Sequence, residues 1–235
     1  MTKIPAKFSK KIKDFKEFVE KETNTQVEFK DKKQDFEDIQ RVSGYSKVQL
    51  ETVFKIGKAF LFQSDNSKDR NRLVVMDFLS YTPRTHDNLI AHELGHIVIQ
   101  MEFGKVFSIT DSDLAFEADN ILTDWQVDNY IQKKEFEIAT QLNEIFTEYI
   151  KRLKNSEELE PIYLVQALVS DQLNKKIKEE FVQVYKERGC YLQESALATE
   201  DAEKINSAKS NYTKETHQEL IKMWMGNVQY KIVTY

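Results

Sequence analysis

Residues 88–101, Asn-Leu-Ile-Ala-His-Glu-Leu-Gly-His-Ile-Val-Ile-Gln-Met, constrain this chain more than any other stretch. Between Leu89 and Ile99 the only polar side chains are His92, Glu93 and His96. A helix so apolar on every side must be buried, and ionisable groups buried with it need partners. Residues four apart share a helix face, so His92 and His96 can converge their imidazoles on one ion, with Glu93 beside them. This H-E-x-x-H arrangement is that of a zinc hydrolase: two neutral histidines hold the metal, and the glutamate handles the proton of a metal-bound water. Thr85 is expected to cap the helix, with Asp87 at its positive end, and Gly104 to stop it. Gly95 costs roughly 1 kcal/mol relative to alanine inside a helix, which points to another backbone or a substrate passing close by.

Two histidines leave a tetrahedral ion short of a protein ligand, because catalytic zinc takes three and a water. Of the other histidines, His86 lies about 9 Å along the same helix from His92, and His217 is remote in sequence. The remaining source is a second helix, expected over residues 113–133 with Asp111 or Ser112 as its cap. Leu114, Ala118, Leu122 and Trp125 form its apolar stripe; Asp113, Glu117, Asn120, Asp124 and Asp128 share a neighbouring face. Asp113 sits too near the helix start. Asp124 has a second acid, Asp128, four residues on that could orient a metal-bound histidine. Glu117 is the more usual ligand type, but Ile121 stands at its i+4 position. Asp124 is the expected third ligand, with Glu117 as the competitor.

Composition narrows the class. The 34 basic and 39 acidic residues leave a net charge of −5, which argues against nucleic acid as a partner. A lone cysteine, Cys190, cannot form an intramolecular disulfide. The first residues lack the apolar core of a signal peptide, and no apolar run reaches 18 residues, so a cytoplasmic protein without a membrane span is expected. Few Gly and Pro and many Lys, Glu, Gln and Leu favour helix.

Periodicity predicts a helix over residues 8–22, from Phe8, Ile12, Phe15, Phe18 and Val19, and a short strand over 25–30. Residues 45–63 fit both periods and are read as strands. A loop over 64–71 leads to a buried or edge strand at 73–79. After residue 135 the pattern is a run of helices, one opening at Pro161, one stopping at Gly189, and a late one marked by Leu220, Ile221 and Trp224; a weak strand closes the chain at 228–235.

The segment Ile90-Ala91-His92-Glu93-Leu94-Gly95-His96, preceded by a strand and followed by an acid-bearing helix, resembles the ImmA/IrrE type of bacterial and phage zinc metallopeptidase. The likeness covers roughly residues 25–135. It implies a zincin-like core over residues 1–135, with a small sheet packed on the H-E-x-x-H helix; beyond 135 the likeness says nothing, and the helical pattern read there gives an expected α+β, mainly helical chain with a helical C-terminal extension over 136–235. The likeness implies Zn2+ and hydrolysis of peptide bonds in an intracellular protein substrate. Asp124-Trp125-Gln126-Val127-Asp128 would stand where the family has Glu-x-x-Ala-Asn, making Asp124 the ligand and Asp128 its orienting partner. The segment departs from that pattern at three positions, and Glu117-Ala118-Asp119 offers a competing alignment. Residues 73–79 would be the edge strand that aligns an extended substrate, and Tyr81 or Tyr130 the oxyanion donor. The alternative class is a metal-bearing regulatory or interaction protein, with little or no turnover, whose helices after 135 bind a partner.

Overall fold

The computed structural model describes residues 8–56, 59–63, 70–78, 82–108, 113–159, 161–187, 192–225 and 230–233. Tyr81, the caps at Asp111 and Ser112, Gly189 and Cys190 lie outside them. The chain is mainly helical with a small mixed sheet, as the α+β reading requires, and it divides into two compact units, Met1–Met101 with Tyr235, and Glu102–Thr234.

The first unit begins with α1 (Lys10–Thr23), where the Ser9 side chain accepts from the Ile12 backbone N–H and Ile12, Phe15 and Val19 face inward. Next come β1 (Gln26–Asp31), α2 (Phe36–Ser43), α3 (Lys47–Ile56), β2 (Ala59–Gln63) and β3 (Asn71–Met76). The strand order is β1-β3-β2, with β3 parallel to β1 and antiparallel to β2. Leu73, Val74, Val75 and Met76 are all at most 2% exposed, as a strand covered on both faces requires. One face of the sheet, through Phe62, Leu73 and Val75, packs with Ile39 and Leu50 from α2 and α3. Phe8, Phe29 and Phe78 form an aromatic cluster in the same unit.

Two expectations change here. Residues 45–63 are half helix. Val48, which a strand would bury alongside Leu50, is 71% exposed, while Leu50 is fully buried. The overlooked signal is Ser46-x-x-Gln49. The Gln49 N–H donates to Ser46 Oγ and the Ser46 N–H to Gln49 Oε1, a capping box that starts α3. The second correction concerns β3, which is the central strand: four successive apolar residues need cover on both sides, and β1 and β2 occupy both its edges. An extended substrate therefore cannot pair with residues 71–76.

Asp31 ties the end of β1 to the end of β3. Its buried carboxylate accepts the backbone N–H groups of Lys33, Gln34 and Phe78 at 2.8–3.0 Å. The chain then enters α4 (Pro83–Phe103). Helix α4 starts three residues earlier than Thr85 as cap would require, because proline suits the first helical position, where no N–H is needed. It ends at Gly104, whose φ of 84° only glycine adopts without strain.

The second unit holds β4 (Lys105–Ser108), α5 (Asp113–Lys133), α6 (Ile138–Lys154), α7 (Pro161–Val169), α8 (Lys175–Glu187), α9 (Leu192–Ala208), α10 (Lys214–Met225) and β5 (Tyr230–Val233). β4 and β5 pair antiparallel. Leu122, Val127 and Ile131 of α5, Leu164 and Val165 of α7, Ile205 of α9 and Ile221 of α10 are buried. Phe146 and Phe181 meet edge to face at 5.0 Å, joining α6 to α8. Among the described residues no helix is long and apolar enough to cross a membrane.

Candidate metal centre

Helix α4 presents the motif as the apolar run requires. Ile90, Ala91 and Leu94 are fully buried, and Ile97 and Ile99 nearly so. His92 and Glu93 are half-buried, and Gly95 lies buried between the two histidines. The four-residue spacing stacks the imidazoles nearly edge to face, with centroids 4.7 Å apart. Their Nε2 atoms are 3.1 Å from each other. Two nitrogens binding one tetrahedral zinc at 2.0–2.1 Å would stand about 3.3 Å apart, so the pair fits an ion with little adjustment.

His86 is used differently. Its Nδ1 accepts the Thr82 backbone N–H at 2.9 Å, and its own N–H donates to the Thr82 carbonyl, so it closes the first turn of α4. His217, on α10, is fully buried in the helical unit. Its Nδ1 lies 2.9 Å from the Tyr212 hydroxyl and 3.4 Å from Gln126 Nε2. Neither joins the motif, as their sequence positions suggested.

Asp124 does join it. One ligand atom from each of His92, His96 and Asp124 lies within 4.8 Å of the other two. Two imidazole nitrogens and a carboxylate oxygen are the donor set of a catalytic zinc site. Asp128, one turn further along α5, is 6% exposed, a depth at which a carboxylate needs partners. Glu117 lies on α5, but its side chain is outside the described residues. Tyr130 is half-buried on the same helix, with Lys134 Nζ 5.6 Å from its ring.

Helix α7 and the segment following it grip α5 around Asp124. Gln166 Nε2 donates to Asp124 Oδ2 at 3.4 Å. Asp171 Oδ2 accepts from Trp125 Nε1 at 2.8 Å and Asn129 Nδ2 at 3.4 Å, while Gln172 Nε2 donates to Asn129 Oδ1. Lys209 completes the clamp, pairing with Asp171 Oδ1 at 2.8 Å, bonding the Val169 carbonyl and lying over the Trp125 ring. Sequence reasoning named none of Gln166, Asp171 and Lys209, because no spacing rule links them to residues some forty positions away.

Partial burial alone would raise the pKa of Asp171. Hydrogen bonds from Lys209, Trp125 and Asn129, with the Lys209 charge, hold it below the usual carboxylate range instead. A depressed folded value makes this carboxylate stabilising above its unfolded pKa of about 3.9, a contribution lost as pH falls through the folded value. Metal-free wild type should therefore lose stability on acidification below pH ~4 more steeply than Asp171→Asn, measured by urea unfolding from pH 7 to 3. Equal slopes would remove Asp171 from the acid response. No family model, curated protein or solved structure matches this chain.

Proposed function

We propose that this protein is a zinc-dependent metallopeptidase that hydrolyses peptide bonds of a protein or peptide substrate. The convergence of His92, His96 and Asp124 within 4.8 Å carries the reading, because a hydrophobic helix otherwise has no reason to hold two histidines with Nε2 atoms 3.1 Å apart beside a carboxylate. A zincin-like core, the ImmA/IrrE-type likeness and a functional division near residue 135 belong to the same proposal.

Zinc held by His92, His96 and Asp124 would supply Lewis acidity, which lowers the pKa of a water to about 7 and polarises a carbonyl. His92 and His96 present neutral nitrogens, and Asp124 contributes the negative charge that a dication needs from its third ligand. Glu93, adjacent to His92 on α4, takes the proton of the attacking water and passes it to the leaving amine. Asp128 orients the ligands from one turn along α5. An extended substrate strand would pair with β1 or β2, since β3 has no open edge.

Elemental analysis of purified wild type, His96→Ala, Asp124→Ala and Glu117→Ala tests the reading. The expected result is about one zinc per chain in wild type and Glu117→Ala, and loss in the other two. Zinc lost from Glu117→Ala but kept by Asp124→Ala would transfer the ligand role to Glu117. Absence of metal from wild type, after growth and purification with zinc, would overturn the proposal.

A further inference from the structure

We propose that Gln166, on α7, is a positioning residue for the third metal ligand: its amide holds Asp124 Oδ2 and so presents Oδ1 to the ion. The inference rests on the zinc reading above. It reaches further by giving part of the C-terminal helical region a task at the metal centre.

A carboxylate on a short aspartate stem rotates about χ2, and a monodentate ligand needs that rotation stopped with one oxygen facing the ion. A donor on the other oxygen stops it. Gln166 Nε2 stands 3.4 Å from Asp124 Oδ2, within reach of this role. The donor type also suits it. A lysine or arginine there would neutralise the carboxylate and compete with the cation, whereas a neutral amide orients the group and leaves its charge for the metal. Gln166 is itself held in place, since its neighbours Val165 and Ala167 are buried and Val169 lies one turn on, also buried, so α7 cannot roll without exposing them. The following loop fixes the register. Asp171 bonds Trp125, the residue after Asp124, and Asn129, one turn beyond, while Gln172 bonds Asn129 again. Contacts at positions 124, 125 and 129 hold the ligand-bearing turn of α5 against both rotation and sliding.

The test uses the full chain. Zinc affinity is measured by competition with a chromogenic chelator, and cobalt substituted for zinc reports the ligand field. Gln166→Leu, which keeps the bulk and removes the donor, should weaken zinc binding about 10–100-fold, the usual effect of losing such a supporting hydrogen bond. It should also shift the cobalt absorption bands and leave the melting temperature of the metal-free protein unchanged. Affinity within twofold of wild type or a matching fall in metal-free stability would each overturn the inference. Should Gln166→Leu fail to fold, Gln166→Met keeps the length of the side chain and removes the donor; it should weaken zinc to the same extent. If His92→Ala abolishes zinc binding while both Gln166 variants leave it intact, only this inference falls. Wild type that takes up no zinc would remove both readings.

Discussion

Glu93→Gln should abolish peptide hydrolysis while leaving the zinc in place. Glutamine matches glutamate in size and fits the same half-buried position on α4, so neither the helix nor the imidazoles need move. What disappears is the ability to accept a proton. A positioned general base contributes typically 10²–10⁴-fold, so cleavage of a fluorescent casein or a peptide library should fall by about that factor. Zinc content and cobalt spectrum should match wild type, because Glu93 is not in the His92, His96 and Asp124 group proposed to hold the ion. A variant that binds zinc and still cleaves at the wild-type rate would show that Glu93 is not the base. A different pattern would favour the regulatory alternative: zinc bound, no substrate cleaved by wild type, and a partner captured in stoichiometric amount whether or not Glu93 is present.

His92→Ala and His96→Ala should each remove the bound metal. Either change takes one of two nitrogens that face each other at 3.1 Å, leaving one imidazole and a carboxylate. Losing a ligand outright should exceed the 10–100-fold penalty of losing a supporting hydrogen bond, bringing zinc below detection after dialysis. Thermal melting gives an independent measure. A ligand that binds only the folded state stabilises it by about 2.7 kcal/mol at one hundred times its dissociation constant, so added zinc should raise the wild-type melting temperature and not that of either variant. Equal zinc-dependent shifts in all three proteins would place the binding elsewhere on the chain. An alanine at His217 makes a useful contrast. That residue is fully buried and bonded to Tyr212, so its loss should lower stability and leave the zinc content intact.

Local chemistry was legible wherever it is written in neighbouring residues. The limits of α5 followed from its periodicity, and the end of α4 from Gly104. Helix α1 and strand β1 followed from apolar spacing, as did α6, α7, α8 and α10; α9 had no such reading. Misreadings fell where two local patterns competed. Residues 47–56 carry both a period of two and a helical stripe; burial of Leu50 against Ile39, together with the Ser46–Gln49 capping box, selects the helix. At the start of α4, proline and threonine both signal a helix beginning, and the earlier one prevails because proline at the first helical position loses no hydrogen bond.

By itself, the sequence determined the half of the proposed centre that lies on α4. His92, Glu93 and His96 share a face of α4 because 3.6 residues make a turn, and no tertiary contact is needed to bring the imidazoles together. Tertiary structure alone decided the rest. Both Asp124 and Glu117 stood open in the sequence; among the described side chains Asp124 groups with the histidines, while that of Glu117 lies outside them. Whether residues 71–76 lie at an edge depended on strand order, which puts β3 between β1 and β2. Gln166 and Asp171 meet α5 through the packing of α5 against α7, a consequence of apolar burial with no period of its own in the sequence. Spacing rules reach as far as one helix or one strand, and beyond that distance the hydrophobic core decides which side chains meet.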